Sequence, residues 1–253
     1  MSADPTELDK NPDCGEAMLP STAASGHRTD AATLARLMTW LSPGYPVGGF
    51  SYSHGLEWAV ENGEVEDAAS LGDWIEAVVV HGAGHSDAIF LTEAWRAVSG
   101  GDEPLLAEVV ELAAASAPSA ERRLEALSQG AAFLTATRSV WPHPLLDRLG
   151  GENIEIAYPA AVGICTAAHG LPLMASARAF VQAFAANLVS AGVRLVPLGQ
   201  TDGLRVIARL EPSVARVAAG ALAASLEDVG GIAIMADIAS MRHETQYTRL
   251  FRS

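Results

Sequence analysis

The sequence predicts an all-α fold: a single-domain helical bundle of about nine or ten helices, with a disordered N-terminal tail and a C-terminal docking tail. Three observations carry this expectation. Alanine fills 47 of the 253 positions, and Ala loses least on entering a helix. From Thr33 onward, apolar residues recur at i, i+3, i+4 and i+7, which is the helical period. Val193 to Val196 is the only short β-branched run, too little for a sheet.

Residues 1–30 combine three prolines with scattered Ser, Thr and Asp and show no period, so they read as a disordered acidic tail. The bundle is expected over 31–240. Leu34, Leu37, Met38 and Leu41 form one apolar face of a first helix, which Ser42-Pro43 ends. A second starts near Tyr52, carries Leu56 and Val60, and stops at Asn62-Gly63. The third bears Leu71, Trp74, Ile75, Val78 and Val79. A fourth bears Leu91, Ala94, Trp95 and Val98 and ends at Gly100-Gly101. Asp102 caps a fifth, with Pro104 in its first turn and Leu106, Val109, Val110 and Ala113 inward. Leu124, Leu127, Ala131 and Leu134 mark the next. Tyr158-Pro159 opens another, closed by Gly170, and Pro172 opens a long one through Phe180, Val181, Phe184 and Leu188. Pro212 divides the last stretch into helices near 201–210 and 213–226.

Composition excludes several functions. Hydrophobic residues make up 49% and charged residues 18%, a globular balance. Sixteen basic residues against 30 acidic give a net charge of −14. Such a chain repels a phosphate backbone and is not a general nucleic-acid binder. Lys10 is the sole lysine, so neither a P-loop nor a Schiff-base site is available. Cys14 and Cys165 are far apart and form no CxxC pair. The start lacks a signal-peptide layout, and no run of eighteen apolar residues could span a membrane. A cytoplasmic protein is the expectation.

Few constellations suggest chemistry. His81 and His85 stand at i, i+4 near Asp87, but Gly82 and Gly84 interrupt the helix, so a surface helix end is the better reading than a metal site. His243-Glu244 lacks the second His of a zinc-protease helix, because position 247 is Tyr. Tyr52, Ser53, His54 and Glu57 follow the loop SPGYPVGGF and leave open an all-α hydrolase or lyase. The competing reading is structural: Pro43, Pro46, Gly48 and Gly49 shape a tight turn, and Phe50 fills the core beneath it. Around Pro197–Gly203, Thr201 or Asp202 is placed to cap a helix, while Gly199 and Gly203 permit either close approach of a partner or only the turn itself. The recurrent Trp40, Trp58, Trp74 and Trp95 read as core. The end of the chain, 241–253, differs from the rest. It holds Arg242, Arg249 and Arg252 against Glu244 alone, with Tyr247, Leu250 and Phe251, and so has the character of a docking segment.

Three segments together resemble the urease accessory protein UreF family: SPGYPVGGFSYSHGLEWAVENGEV (42–65), RLVPLGQTDGLRVIARL (194–210) and IASMRHETQYTRLFRS (238–253). The match runs in order from about residue 33 to the C-terminus. Gly49 and His54 depart from the pattern, where Ala and Gln are usual. The resemblance implies an all-α, non-enzymatic protein; in the residues themselves no ligand cluster for a metal and no cofactor site is evident, and a hydrogen bond at the docking surface is the better reading of His243 than a metal ligand. The resemblance also implies a homodimer that bridges the accessory protein UreD (also called UreH) and the GTPase UreG while nickel enters apo-urease. It also admits regulation of the GTPase by a tail arginine. The tail is then the element that orders on UreD, through Arg242, His243, Glu244, Tyr247, Arg249, Leu250, Phe251 and Arg252. Pro46, Gly48, Phe50, Tyr52, Gly55, Glu57, Gly199 and Gln200 are carried over as structural or interface loop positions. Deleting 241–253 is expected to leave the fold intact and abolish UreD binding.

Overall fold

The computed structural model describes residue 1 and residues 30–151 and 154–253. Apart from its two ends, the expected disordered segment 1–30, with Lys10 and Cys14, lies outside the described residues. What is described is all-α, with no strand among the described residues. The helices are α1 (Ala31–Trp40), α2 (Leu56–Glu61), α3 (Ala68–His81), α4 (Ala83–Gly100), α5 (Glu103–Ala115), α6 (Ala120–Val140), α7 (Pro144–Gly151), α8 (Tyr158–Ala168), α9 (Leu173–Leu195), α10 (Gln200–Ala221) and α11 (Ile234–His243). Short 3₁₀ turns at Gly49–Ser51 and Leu226–Asp228 complete the set.

The core is organised around α8. Every residue from Pro159 to Thr166 is buried, and a helix apolar on all sides belongs inside. It packs on α4, α5, α6 and α9. Gly163 permits the close approach to α4, since a Cβ there would lie 2.3 Å from the Leu91 carbonyl oxygen. Outside this layer α9 packs on α10, and α10 on α3. At one end α11 lies across α2 and the start of α6. Caps are local and chemical: Asp30, Asp67, Asp102 and Ser119 each accept the backbone N–H three residues on.

Several elements differ from the sequence reading. The proline expected to divide α10 does not. Pro212 is exposed, and buried Leu210, Ser213, Val214 and Val217 on either side hold one continuous face. Packing on both sides of one missing hydrogen bond outweighs its loss. Gly199 caps α10 with its backbone alone, and Asp202 pairs with Arg205 in the first turn rather than capping. On α1, Leu37 and Trp40 are buried whereas Leu34 and Met38 face outward. α2 starts at Leu56, later than Tyr52, because His54 (φ 57°) and Gly55 (φ 76°) are left-handed. Helices α7 and α11 were not anticipated, and α11 crosses the boundary expected at residue 240.

Candidate docking surface

The end of the chain does not extend away from the bundle; it is fastened to it by carboxylates. Glu57, in the first turn of α2, is buried. Its Oε1 accepts the Leu250 N–H at 2.6 Å, and its Oε2 accepts the Phe251 N–H at 2.8 Å. The same Oε2 lies 3.1 Å from His243 Nε2. On the other side of that ring, Nδ1 lies 2.6 Å from Glu121 Oε2, and Glu121 Oε1 accepts from Arg249 at 2.6 Å. Glu125 Oε2 accepts the Ser253 hydroxyl at 2.7 Å. Glu244 returns the favour to the body by accepting the Ala120 N–H at the start of α6, at 2.8 Å. Hydrogen bonds to ionised groups are the stronger kind, and here they gather on a tail of opposite charge.

Backbone and ring contacts finish the seat. Arg252 N–H donates to Ser51 O at 2.8 Å, and Ser53 N–H to Ser253 O at 2.7 Å. Arg194 is stacked between two rings, its guanidinium carbon 3.6 Å from the Phe50 centroid and 4.4 Å from that of Phe251. This corrects the expectation for Phe50. It does not fill the core but is 65% exposed, spread over the arginine. Gly55 lets the loop touch α11, for a Cβ there would fall 2.5 Å from Ser240 N.

The eight tail residues therefore divide. His243 and Phe251 face inward and are 0% and 4% exposed. Arg242, Glu244, Tyr247, Arg249, Leu250 and Arg252 lie on the surface. Beside them α11 turns Ile234, Met235, Ile238 and Met241 outward, with Ile232 just before it. Those apolar residues escaped the sequence reading, although 234, 238 and 241 stand at helical spacing. Trp58, Glu61, Arg242, Gln246 and Tyr247 line a shallow pocket of about 380 Å³ next to the tail. This end of the chain thus exposes both large apolar side chains and arginines, the composition of an interface centre and its rim.

Of the loop positions, Tyr52, Gly55 and Glu57 are buried in this seat. Pro46 and Gly48 are exposed in the turn before it, Gly48 left-handed at φ 75°. Gly199 and Gln200 are exposed at the start of α10, and no hydrogen bond among the described residues joins them to the tail. The groups that left hydrolysis open are otherwise engaged. The Ser53 hydroxyl donates to Ser253 O, Glu57 holds amides, and His54 turns to α6, its Nε2 2.8 Å from both Glu125 Oε1 and Arg122 Nη1. No nucleophile–base pair forms from them. His81 and His85 sit on separate helices, and His85 Nε2 lies 3.2 Å from the Asp228 carbonyl. Among the described residues no group of three or more His, Cys, Asp or Glu is placed to hold a metal ion, and no helix is long and apolar enough to cross a membrane.

Behind the seat lies a buried charge cluster. Burial opposes the charge on Glu125, but Arg122 and His54, with the hydrogen bonds from His54 and Ser253, hold its carboxyl down at about 2. Burial, and then Arg122, keeps His54 below the usual imidazole range. Asp87 has no such compensation: burial pushes it up to about 7 against the pull of Arg122. A carboxyl raised in the folded state above its ordinary 3.8 disfavours folding once ionised. The protein is thus most stable on this account below that ordinary value, and loses stability as pH rises to about 7. Asp87→Asn should melt above the parent at pH 8 and close to it at pH 4, with a gain of at most about 4 kcal/mol. Thermal melts at the two pH values check this.

The sequence model of the UreF family matches residues 65–211, more than half of the chain. A urease accessory protein UreF from Rhodopseudomonas palustris strain HaA2 is 55% identical over 237 residues, covering 93% of this chain and all of that one. The chain belongs to the UreF family. Another UreF, from Rhodopseudomonas palustris strain TIE-1, is 56% identical over 224 residues, covering 88% of this chain and 93% of its own. A Bradyrhizobium UreF, strain BTAi1, is 52% identical over 234 residues, covering 92% and 98%. Each of these matches covers more of the chain than the family model does.

Proposed function

We propose that this UreF-family chain is a non-enzymatic scaffold in the cytoplasm, which bridges the accessory protein UreD (UreH) and the GTPase UreG during GTP-dependent nickel insertion into apo-urease. The observation that carries this reading is the seated tail: carboxylates hold its backbone and His243 while Tyr247 and Leu250, with the apolar residues of α11, stay exposed. UreD takes that surface, with Tyr247, Leu250 and Met241 as anchors and the exposed arginines as its rim. The names of the relatives, urease accessory proteins, set the process in which it acts. A second patch, Leu34 and Met38 on α1, supports pairing with another copy of the chain. Arg242 and Arg252, both exposed, are the arginines free to reach a GTPase partner.

The test is nickel-dependent activation of apo-urease reconstituted with the accessory proteins. Tyr247→Asp combined with Leu250→Asp places charge on that surface without touching the bundle. Each lost anchor commonly costs about 2 kcal/mol, so activation at limiting UreF should fall at least roughly tenfold, with circular dichroism unchanged. Full activation by this variant would move the interface elsewhere. Truncation at Ser240 is a poorer test than the sequence suggests, because it also strips the internal residues His243 and Phe251 and takes from Glu57 and Glu121 the groups that hold them.

A further inference from the structure

His243 is the buried side chain that two of the tail's carboxylate anchors share. At the end of α11, its Nδ1 lies 2.6 Å from Glu121 Oε2 on α6, and its Nε2 lies 3.1 Å from Glu57 Oε2 on α2. Each of these contacts needs one hydrogen between its two heavy atoms. An ionised carboxylate only accepts, and a neutral imidazole carries a single N–H. The neutral ring therefore satisfies one side and turns a lone pair toward the other. The closed seat holds one proton more than a neutral ring and two carboxylates supply.

The surroundings decide where that proton sits. Glu57 already accepts two backbone amides, and the far oxygen of Glu121 accepts from Arg249. Donors of this kind favour the ionised form of both carboxylates, which leaves the ring to carry the proton. Glu57 and Glu121 face it from α2 and α6, the helices on which α11 packs. The other acids close by in the chain are turned elsewhere: Glu61 of α2 holds Gln246, and Glu244 holds the Ala120 N–H.

We propose that His243 is a proton-operated latch: as an imidazolium donating on both sides it ties α11 and the tail to α2 and α6, and loss of one proton releases the tail. Closing the seat takes up a proton, so by linkage the seat is strengthened as pH falls toward neutrality and weakened as pH rises. Where a freed imidazole is neutral, the ratio of released to seated tail grows by up to roughly tenfold per pH unit. Tyr247 and Leu250 lie in the chain between His243 and Phe251, so release scatters the surface offered to a partner. Only that last consequence rests on the docking role proposed above. The proton count is a property of the chain alone.

The experiment uses the full chain without partners. At about pH 7.5 the ring ¹⁵N shifts of His243 should report a proton on both nitrogens while the Leu250 and Phe251 amides are protected from exchange. From about pH 7 to about pH 9 the protection of those amides, corrected for the intrinsic exchange rate, should fall by up to roughly tenfold per unit while amides of α8 keep theirs. Glu121→Gln removes the demand for the extra proton. Its carboxamide donates to Nδ1 and still accepts from Arg249, so a neutral ring suffices. In that variant the decline with pH should vanish. A ring with one bare nitrogen in the parent, while its tail amides are protected, overturns the proposal whether or not the variant keeps its tail seated. A decline that persists unchanged in a seated Glu121→Gln chain overturns it as well. Neither reading involves UreD, so a failed latch and a failed docking role are separate results.

Discussion

Glu57→Gln is expected to undock the C-terminal tail while leaving the helical bundle folded. One carboxylate receives two buried amides and the His243 ring. A glutamine offers one oxygen and turns an NH₂ group toward donors at the other position. Hydrogen bonds to charged groups are worth about 1.5–3 kcal/mol, and a buried amide left without an acceptor costs about 1–3 kcal/mol. A shift of about 3 kcal/mol in the local opening equilibrium raises the open population roughly a hundredfold. Amide exchange at Leu250 and Phe251 should therefore accelerate by about that factor, with helicity and the exchange of α8 unchanged. Partner binding should weaken with it, because a loosened tail must be ordered again at the moment of contact. Unchanged exchange at these two amides would show that Glu57 is not the clamp.

Gly55→Ala should have a larger effect, and on stability as well. Its φ of 76° is a conformation that costs a non-glycine residue roughly 1–2 kcal/mol. The added Cβ would lie 2.5 Å from Ser240 N and 2.8 Å from the Ala239 carbonyl carbon. Those atoms are helix backbone, so α11 as a whole has to shift, and overpacking of this kind costs about 1–3 kcal/mol. Moving α11 carries Ser240, His243 and the tail away from α6. The midpoint of thermal unfolding should fall by roughly 5–15 °C for a chain of this size, and the tail should lose protection from exchange. A variant that melts with the parent and keeps a protected tail would contradict the packing described for this end of the bundle.

Much of the fold was legible because the amphipathic helices repeat one signal. Leu71, Ile75, Val78 and Val79 on α3, and Val109 and Val110 on α5, are buried where their spacing places them. Where burial is not one-sided, the signal fails. α11 keeps Ile234, Met235, Ile238 and Met241 outward, so its apolar residues do not mark core, and α7 is only two turns long. Pro212 misled because a rule about one hydrogen bond was set against packing along a whole helix. Phe50 misled for another reason: an aromatic ring in a loop covers an arginine as readily as it enters a core, and position alone does not choose.

The site was half legible. A basic, aromatic end on an acidic chain was visible in the residues, and Glu57 was marked among the loop positions. That Glu57, Glu121 and Glu125 converge on that end was not visible, since 64 residues separate the first of them from the second and the tail lies more than a hundred residues beyond. On α11 the period of Ile234, Ile238 and Met241 is readable in the sequence, but a period alone does not say whether the face it marks is buried or exposed. Charge complementarity within the chain is what seats the tail.

The most direct test of the proposed docking surface is a binding titration of purified UreD with the intact chain and with the Tyr247→Asp, Leu250→Asp variant. Loss of at least roughly thirtyfold in affinity, with amide protection at Leu250, Phe251 and the rest of the seat retained, is the predicted result. Equal affinity of the two chains would contradict it and place the UreD interface on another face of the bundle.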